Sequence, residues 1–576
     1  MSRAAKTGSV AETLQKALRL HQAGQLDKAA RLYGTILKKN PDNGDALNLK
    51  GMVAQAHGRH DDALALFGRA ITALPDFADV HFNKANTLKA LGRNDDALAA
   101  YAKAIALKPD YADARLNAGT LLQKMDRTTE AIAAFREMAR FSPADPRGHY
   151  SLGVCLTEAL PAAKSEEREA MTEEADAAFI RTVTLNPNNA DAHFAHANLY
   201  SKQGDHDRAI QCNKAAIDLK PNWPEAWSNL GSHLEASGDP AAAEAAFDHA
   251  IKLDPRNTAA LVNRGLSQLA GGRLDKGWDG YARRFETAHA LYTGRDWPWP
   301  PWQGEPLAGK KIFVWSDQGI GDEILYGSMI PEVIRAANAC TVECASRLTP
   351  LYRRSFPRAD IIPKNPAANT AILARAFDYH CSVLDLGRWL RRSFRAFPNS
   401  KRFLFADSQQ SESLRQRYRA RSPQETLLIG LSWRSVNAMF GLEKSLDLAD
   451  FIPILVSPRV YSVNLQYGAT RQEVEKVKAK HNVSLICDDK IDSLLNLDAF
   501  AAQISALDAV VTISNTTAHM AAALGVPTFL IVPGRKKHLW YWFRQGEFSP
   551  WYRSVTILRG ESSAAIDKLS ILFNNL

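Results

Sequence analysis

The chain has 576 residues, enough for several domains. Charged residues make up 23% and apolar ones 46%, the balance of a soluble globular protein rather than a disordered or fibrous one. The net charge of +9 favours anionic partners, but no nucleic-acid module accompanies it, so nucleic acid is not expected as a partner. Met1 to Val10 lack the apolar core of a secretion leader. No apolar run approaches the roughly 20 residues of a membrane span. The six cysteines show no C-x2-C spacing, so free thiols in a cytoplasmic setting and no bound metal are expected.

A proline then returns at a fixed interval. Pro41, Pro75, Pro109 and Pro143 are 34 residues apart, as are Pro187, Pro221 and Pro255, with ten extra residues between the two runs. With each period ending two residues after its proline, position 8 is small: Gly51, Ala85, Gly119, Gly153, Ala197, Gly231. Position 20 is always alanine from Ala29 to Ala243, and position 24 is mostly aromatic, from Tyr33 and Phe67 to Phe247. Small residues facing large ones fill the core of stacked helix pairs. Gly24, Gly58, Gly92, Gly204 and Gly238 share position 15, where a helix ends in a left-handed residue. The register resembles the tetratricopeptide (TPR) consensus, whose 34-residue helix-turn-helix units stack into a protein-binding solenoid. About eight repeats are expected over residues 1–290, with the extra ten residues, around Ala162 to Met171, as a lengthened helix or surface loop.

Asparagines recur on the first helix of the units: Asn83, Asn117, Asn229 and Asn263 at position 6, Asn86 and Asn198 at position 9. An amide both donates and accepts, so such a ladder could grip an acceptor's backbone. The alternative is that Asn simply occurs on a wet helix face, against which the position-specific recurrence speaks.

The last repeat decays into GGRLDKGWDGYARRFE, in which Arg284 fills a normally small position. Residues 291–309 form a connector in which Pro298, Pro300 and Pro301 forbid helix, and Trp297, Trp299 and Trp302 are expected to pack the two halves together. From Lys310 strands alternate with helices, with strand-like runs at 310–315, 339–345, 427–433, 460–466, 483–487, 508–514 and 527–532. The fold class expected is α plus α/β, with two Rossmann-like domains over residues 310–420 and 421–576 after the solenoid. Arg388, Arg391, Arg392, Arg395, Lys401 and Arg402 form a basic stretch, either a solvated helix face or a contact for an anion.

Two turns carry candidate chemistry. Gly319 and Gly321 in QGIGDE let backbone approach a ligand, and Asp322 opens the following helix, placed either as a general base or as a helix-start acid. Ser514, Asn515, Thr516, Thr517 and His519 follow a strand and open an alanine-rich helix, a place where free N–H groups bind phosphate.

Together these segments resemble ADP-heptose-type glycosyltransferases of the GT-B fold. The resemblance rests on GIGDEILYGSMIP and VVTISNTTAHMAAALGVP, with Gly277-Trp278, Tyr281 and Arg284, the run Trp302 to Lys310, Glu443-Lys444-Ser445, and Ser549 to Tyr552. In overall plan the chain is similar to O-GlcNAc transferases and to bacterial TPR transferases that glycosylate flagellins. The resemblance implies transfer of a sugar from a nucleotide-sugar co-substrate, without metal or other cofactor, to Ser/Thr of an acceptor protein held by the repeats, flagellin being a candidate. Asp322 would be the base; Gly319, Gly321, Arg434, Lys444 and residues 514–517 with His519 would hold the donor. Ser514 stands where the heptosyltransferase turn has Asp, which disfavours heptose. The competing expectation is a non-catalytic TPR scaffold with a degenerate transferase domain.

Overall fold

The computed structural model describes residues 9–287, 294–365, 368–435, 441–468, 470–533 and 539–575. Residues 1–8, read above for a leader, and 291–293, the start of the connector, lie outside the described residues. The chain divides into two compact units, Met1–Asn222 and Trp223–Leu576.

The first unit is a stack of six antiparallel helix pairs, from Val10–Gln22 with Leu26–Lys39 to Ala190–Gln203 with His206–Leu219. Position 20 of the register is fully buried in every pair, and the position-24 rings beside it are closed off from solvent. The small residue at position 8 exists because the ring lies on it: a Cβ at Gly51 would come within 2.6 Å of Phe67. The loop glycines are left-handed as the sequence implies, Gly58 with φ +72° and Gly92 with φ +73°. In the fourth pair Asp126 takes that place with φ +57°. The extra residues form a 3-10 turn, Leu160–Ala162, and lengthen the following helix, Ser165–Leu185, to 21 residues where its counterparts have 14.

The second unit begins with two more pairs, Pro224–Ser237 with Pro240–Leu253 and Thr258–Ala270 with Leu274–Tyr281. Two parallel sheets follow. The first contains β1 (Lys311–Trp315), β2 (Ala339–Cys344), β3 (Asp360–Pro363) and β4 (Tyr379–Ser382), in the order β3-β2-β1-β4. The second contains β5 (Leu427–Ser432), β6 (Val460–Asn464), β7 (Leu485–Ile486), β8 (Ala509–Ile513), β9 (Thr528–Pro533) and β10 (Val555–Gly560), in the order β10-β9-β8-β5-β6-β7. In the second sheet the order reverses between β5 and β8, and in sheets of this kind ligands bind outside the carboxyl ends of the strands at such a point.

Two expectations about the junction are corrected. Trp297 and Trp299 do not bridge the halves; they stack 6.0 Å apart against Phe313 of β1 and Phe377. The connector's backbone extends the first sheet, with Trp302 N–H donating to His380 O (2.8 Å). Large flat side chains here cover the exposed edge and face of a four-stranded sheet. Among the described residues, the rings that join the last repeat to the α/β region include Phe285, 5.6 Å from Trp315 of β1, and Trp278. Trp278 is buried against Trp540 and Gly387 and donates from Nε1 to Arg391 O (3.0 Å).

The basic stretch divides: its first half is engaged in contacts within the protein rather than forming an open anion site, and its second half is solvated. Arg391 is fully buried on Glu332 (2.5 Å), Arg388 reaches Asp279 (3.3 Å), and Arg392 donates to Asp275 O (2.9 Å). Arg388 and Arg392 fasten the last repeat helix to the first sheet's domain because Asp279 on that helix faces both, while Arg391 pairs within that domain. Arg395, Lys401 and Arg402 remain exposed.

Candidate functional site

The helix after β1, Ile320–Gly327, packs on the helix after β8, Thr516–Ala523, so the two turns singled out in the sequence meet. Gly321 is the contact point. A Cβ there would lie 3.2 Å from His519 Cδ2 and 3.9 Å from Thr516 Oγ1. A Cβ at 321 would crowd the His519 ring, so glycine permits this close approach of the turns.

Asp322 sits on the first turn of its helix, with part of its surface open to solvent. Burial nevertheless raises its pKa to about 7, and the charge of Asp317 adds to the shift. The Gly319 backbone N–H and the Lys444 ammonium oppose it. A carboxyl poised near neutrality can take a proton at physiological pH. Its neighbour Glu323 is also raised to about 7 by burial, but it is committed to structure, accepting from Ser316 Oγ (2.5 Å) and Ala345 N–H (2.8 Å).

The opposite turn is built by β5 and β8. Asn515 caps its helix by accepting from Ala518 N–H (3.2 Å), and its Nδ2 donates to Ser432 Oγ (2.9 Å) at the end of β5. Thr517 is buried beside the same hydroxyl (3.4 Å), while Thr516 faces Gly321. Ser514 accepts from Trp542 Nε1 (2.9 Å), and its carbonyl accepts from Lys444 Nζ (3.3 Å). Lys444 thus stands at the turn; the side chain of Glu443 lies outside the described residues.

His519 is buried, stacked on Trp542 at 5.1 Å, with Nδ1 3.0 Å from Tyr552 Oη. Burial, then Lys444, lowers its pKa to about 3, so it is neutral at physiological pH. It can therefore contribute a hydrogen bond to a phosphate, not a charge. Arg434 is adjacent, its carbonyl accepting from Asn515 Nδ2 (3.5 Å), but its guanidinium pairs with Glu473 (2.7 Å).

The asparagine ladder divides by position. Asn83 donates to Asn48 (2.9 Å), and Asn117 donates to Asn86, whose oxygen also accepts from Tyr101 Oη (2.5 Å). The amides thus bond to one another between successive repeats, which fixes their orientation. In the second unit Asn263 donates to Ser232 Oγ (3.2 Å) and Asn229 lies on the first helix of the preceding pair; Asn198 lies on the first helix of the last pair of the first unit.

Sequence reasoning missed the aromatic box of Tyr541, Trp542 and Tyr552 around His519, and the role of Asp317. The SPWY tail signalled Tyr552; residues 541 and 542 and Asp317 carry no pattern of their own. Asp488, just after the run 483–487, is committed to structure, paired with Arg417 and accepting from the Tyr418 hydroxyl (2.7 Å). Among the described residues no cluster of three His, Cys, Asp or Glu could hold a metal, and no helix is long and apolar enough to cross a membrane.

Comparison with known proteins bears out the repeat architecture. Tetratricopeptide-repeat family profiles match residues 14–77, 82–159 and 228–293, with further matches over 54–102, 178–211 and 197–238. The first half is therefore a TPR solenoid followed by a region of parallel sheets and helices. Among curated proteins the chain is similar to Protein FlbA of Caulobacter vibrioides, 28% identical over 400 residues, or 60% of this chain and 66% of that protein. Among solved structures it is similar to YrrB, a TPR protein with an unusual peptide-binding site (19% identity, TM-score 0.29, 34% of this chain and 96% of that one). It is also similar to a repeat protein of Parabacteroides merdae (17%, TM-score 0.31, 45% and 98%) and to the C-terminal part of one from Cytophaga hutchinsonii (17%, TM-score 0.37, 43% and 98%).

Proposed function

We propose that the chain is a GT-B glycosyltransferase that moves a sugar from a nucleotide-sugar to a Ser/Thr hydroxyl of an acceptor protein bound by the TPR repeats. The observation that carries this reading is the meeting of the two turns across Gly321. It places a carboxyl of pKa about 7 beside a capped helix start, Lys444 and a neutral imidazole. In this reading Asp322 takes the acceptor's hydroxyl proton. The helix N-terminus, Thr516 and Lys444 stabilise the charge that grows on the departing diphosphate. The glycosidic bond to the donor breaks as the bond to the acceptor oxygen forms. No metal is needed for that division of labour, and flagellin is the first acceptor to try in a cytoplasmic setting.

One observation favours the scaffold alternative: Arg434, expected to meet the donor, is paired with Glu473. Asp322→Asn separates the readings. It keeps the shape but cannot take the proton, so sugar transfer measured by intact acceptor mass should fall at least about a hundred-fold. Donor binding by calorimetry should persist. Absence of binding to every member of a nucleotide-sugar panel would leave the scaffold reading standing.

A further inference from the structure

The last repeat reaches the acid-bearing turn directly. At the register position of Arg284 other repeats carry buried small residues such as Ala70, Ala104, Ala216 and Ala250. Arg284 is fully buried too, yet its guanidinium donates to Asp385 (2.6 Å), Asp317 (2.9 Å) and Ser382 Oγ (3.0 Å). Three residues earlier, Tyr281 Oη accepts from Gln318 Nε2 (3.0 Å). Asp317 and Gln318 immediately precede Gly319–Asp322. The entry to the turn is thus held by a repeat helix as well as by the sheet that carries it.

Stability alone does not call for this arrangement. A buried ion pair brings a desolvation cost that apolar packing of the same volume avoids. The other repeats fill the same register position with apolar or small residues.

We propose that Tyr281 and Arg284 are positioning residues for Asp322: by fixing Asp317 and Gln318, the end of the repeat array sets the place and the charge surroundings of the acid. The proposal rests on the reading of Asp322 as the base. The groups facing Asp322 are Asp317 and Lys444, with the phenols of Tyr326, Tyr541 and Tyr552. His519 borders it through Gly321 and is neutral. Asp317 raises the proton affinity of Asp322 and Lys444 lowers it. Held on Arg284, Asp317 supplies the raising influence from a fixed point.

The test uses the full chain labelled with 13C at aspartate carboxyls, the Asp322 signal being assigned by its loss in Asp322→Asn. In the wild type it should titrate near 7. In Asp317→Asn, which keeps the shape and removes the charge, the midpoint should fall by at least about half a unit. Tyr281→Phe releases Gln318 and should slow transfer by about ten-fold with the donor KM and the melting temperature unchanged. Arg284→Lys should restore part of what Arg284→Met loses; if the Arg284 variants do not fold, the other two variants decide. An unmoved midpoint in Asp317→Asn, or wild-type transfer by Tyr281→Phe, overturns the proposal. The titration needs no turnover. A chain that transfers no sugar at all would refute the transferase reading, and the midpoint shift would then judge the positioning by itself.

Discussion

The earlier repeats and the last one share one register but use it oppositely, the seventh, with Gly231 beneath Phe247, still following the first unit. In the first unit the small residue at position 8 leaves room for a ring, as with Gly119 beneath Phe135 (2.5 Å to a Cβ there). In the last repeat the corresponding Gly265 meets backbone, 2.7 Å from Tyr281 N, and a Cβ at Gly280 would lie 2.6 Å from Leu261 O. The helices there touch main chain to main chain. The large side chains Trp278, Tyr281 and Arg284 are thereby released toward the α/β region. From the other side Arg544 closes the same junction, with Glu235 (2.5 Å), Ser267 Oγ (2.8 Å) and Ala270 O (3.0 Å). A solenoid becomes a docking end when its internal slot is emptied and its bulk is turned outward.

The sharpest way to break that contrast is Trp278→Ala. It should cost about 3–5 kcal/mol by chemical denaturation, and proteolysis should then cut within residues 271–310 before the sheets. Next, Gly119→Ala should cost about 1–3 kcal/mol, because a ring can tilt. Gly280→Ala should cost more in the same assay, because a carbonyl cannot move aside; equal losses would refute the two-mode account. A pH series on Asp322→Asn probes what the docked end imposes on the acid. The folded pKa lies near 7, well above the ordinary carboxylate range, so the native state binds the proton more tightly. Wild-type stability from this group is therefore full below about 4 and is lost as pH rises through 7. The Asn variant should gain in melting temperature relative to wild type from pH 4 to 8, with no such trend in Asp126→Gly. The smallest effect belongs to Asp126→Gly itself. Relief of the left-handed conformation is offset by the freedom of glycine in the unfolded chain, so the change should stay below about 1 kcal/mol.

The repeats were legible because each feature is set locally and returns every 34 residues; even the insertion announced itself as a break in the proline count. The strands of the second half were legible where they are buried apolar runs, as in β1, β5, β8 and β9. β3, β4 and β10 were not, since DIIP and YHCS are four residues long and β10 ends in Arg559-Gly560 at a sheet edge. In the site the two turns could be read separately, but their meeting through Gly321 is a tertiary fact. The basic stretch misled because charge in a sequence does not say which acids lie opposite; Asp279 and Glu332 are far away along the chain.

One rung of the first unit differs from its neighbours. At position 24, where other repeats place Tyr or Phe, the sixth has Asn213, fully buried, with neither amide atom hydrogen-bonded among the described residues. A buried amide left unpaired costs about 1–3 kcal/mol, and the ring it replaces is lost as well. In a quasi-one-dimensional array, stability is the sum of each unit and its two neighbours. A single weak term therefore becomes a fracture line: melting should start at the helices flanking Asn213 and spread toward the N-terminus, with amide protons there exchanging first.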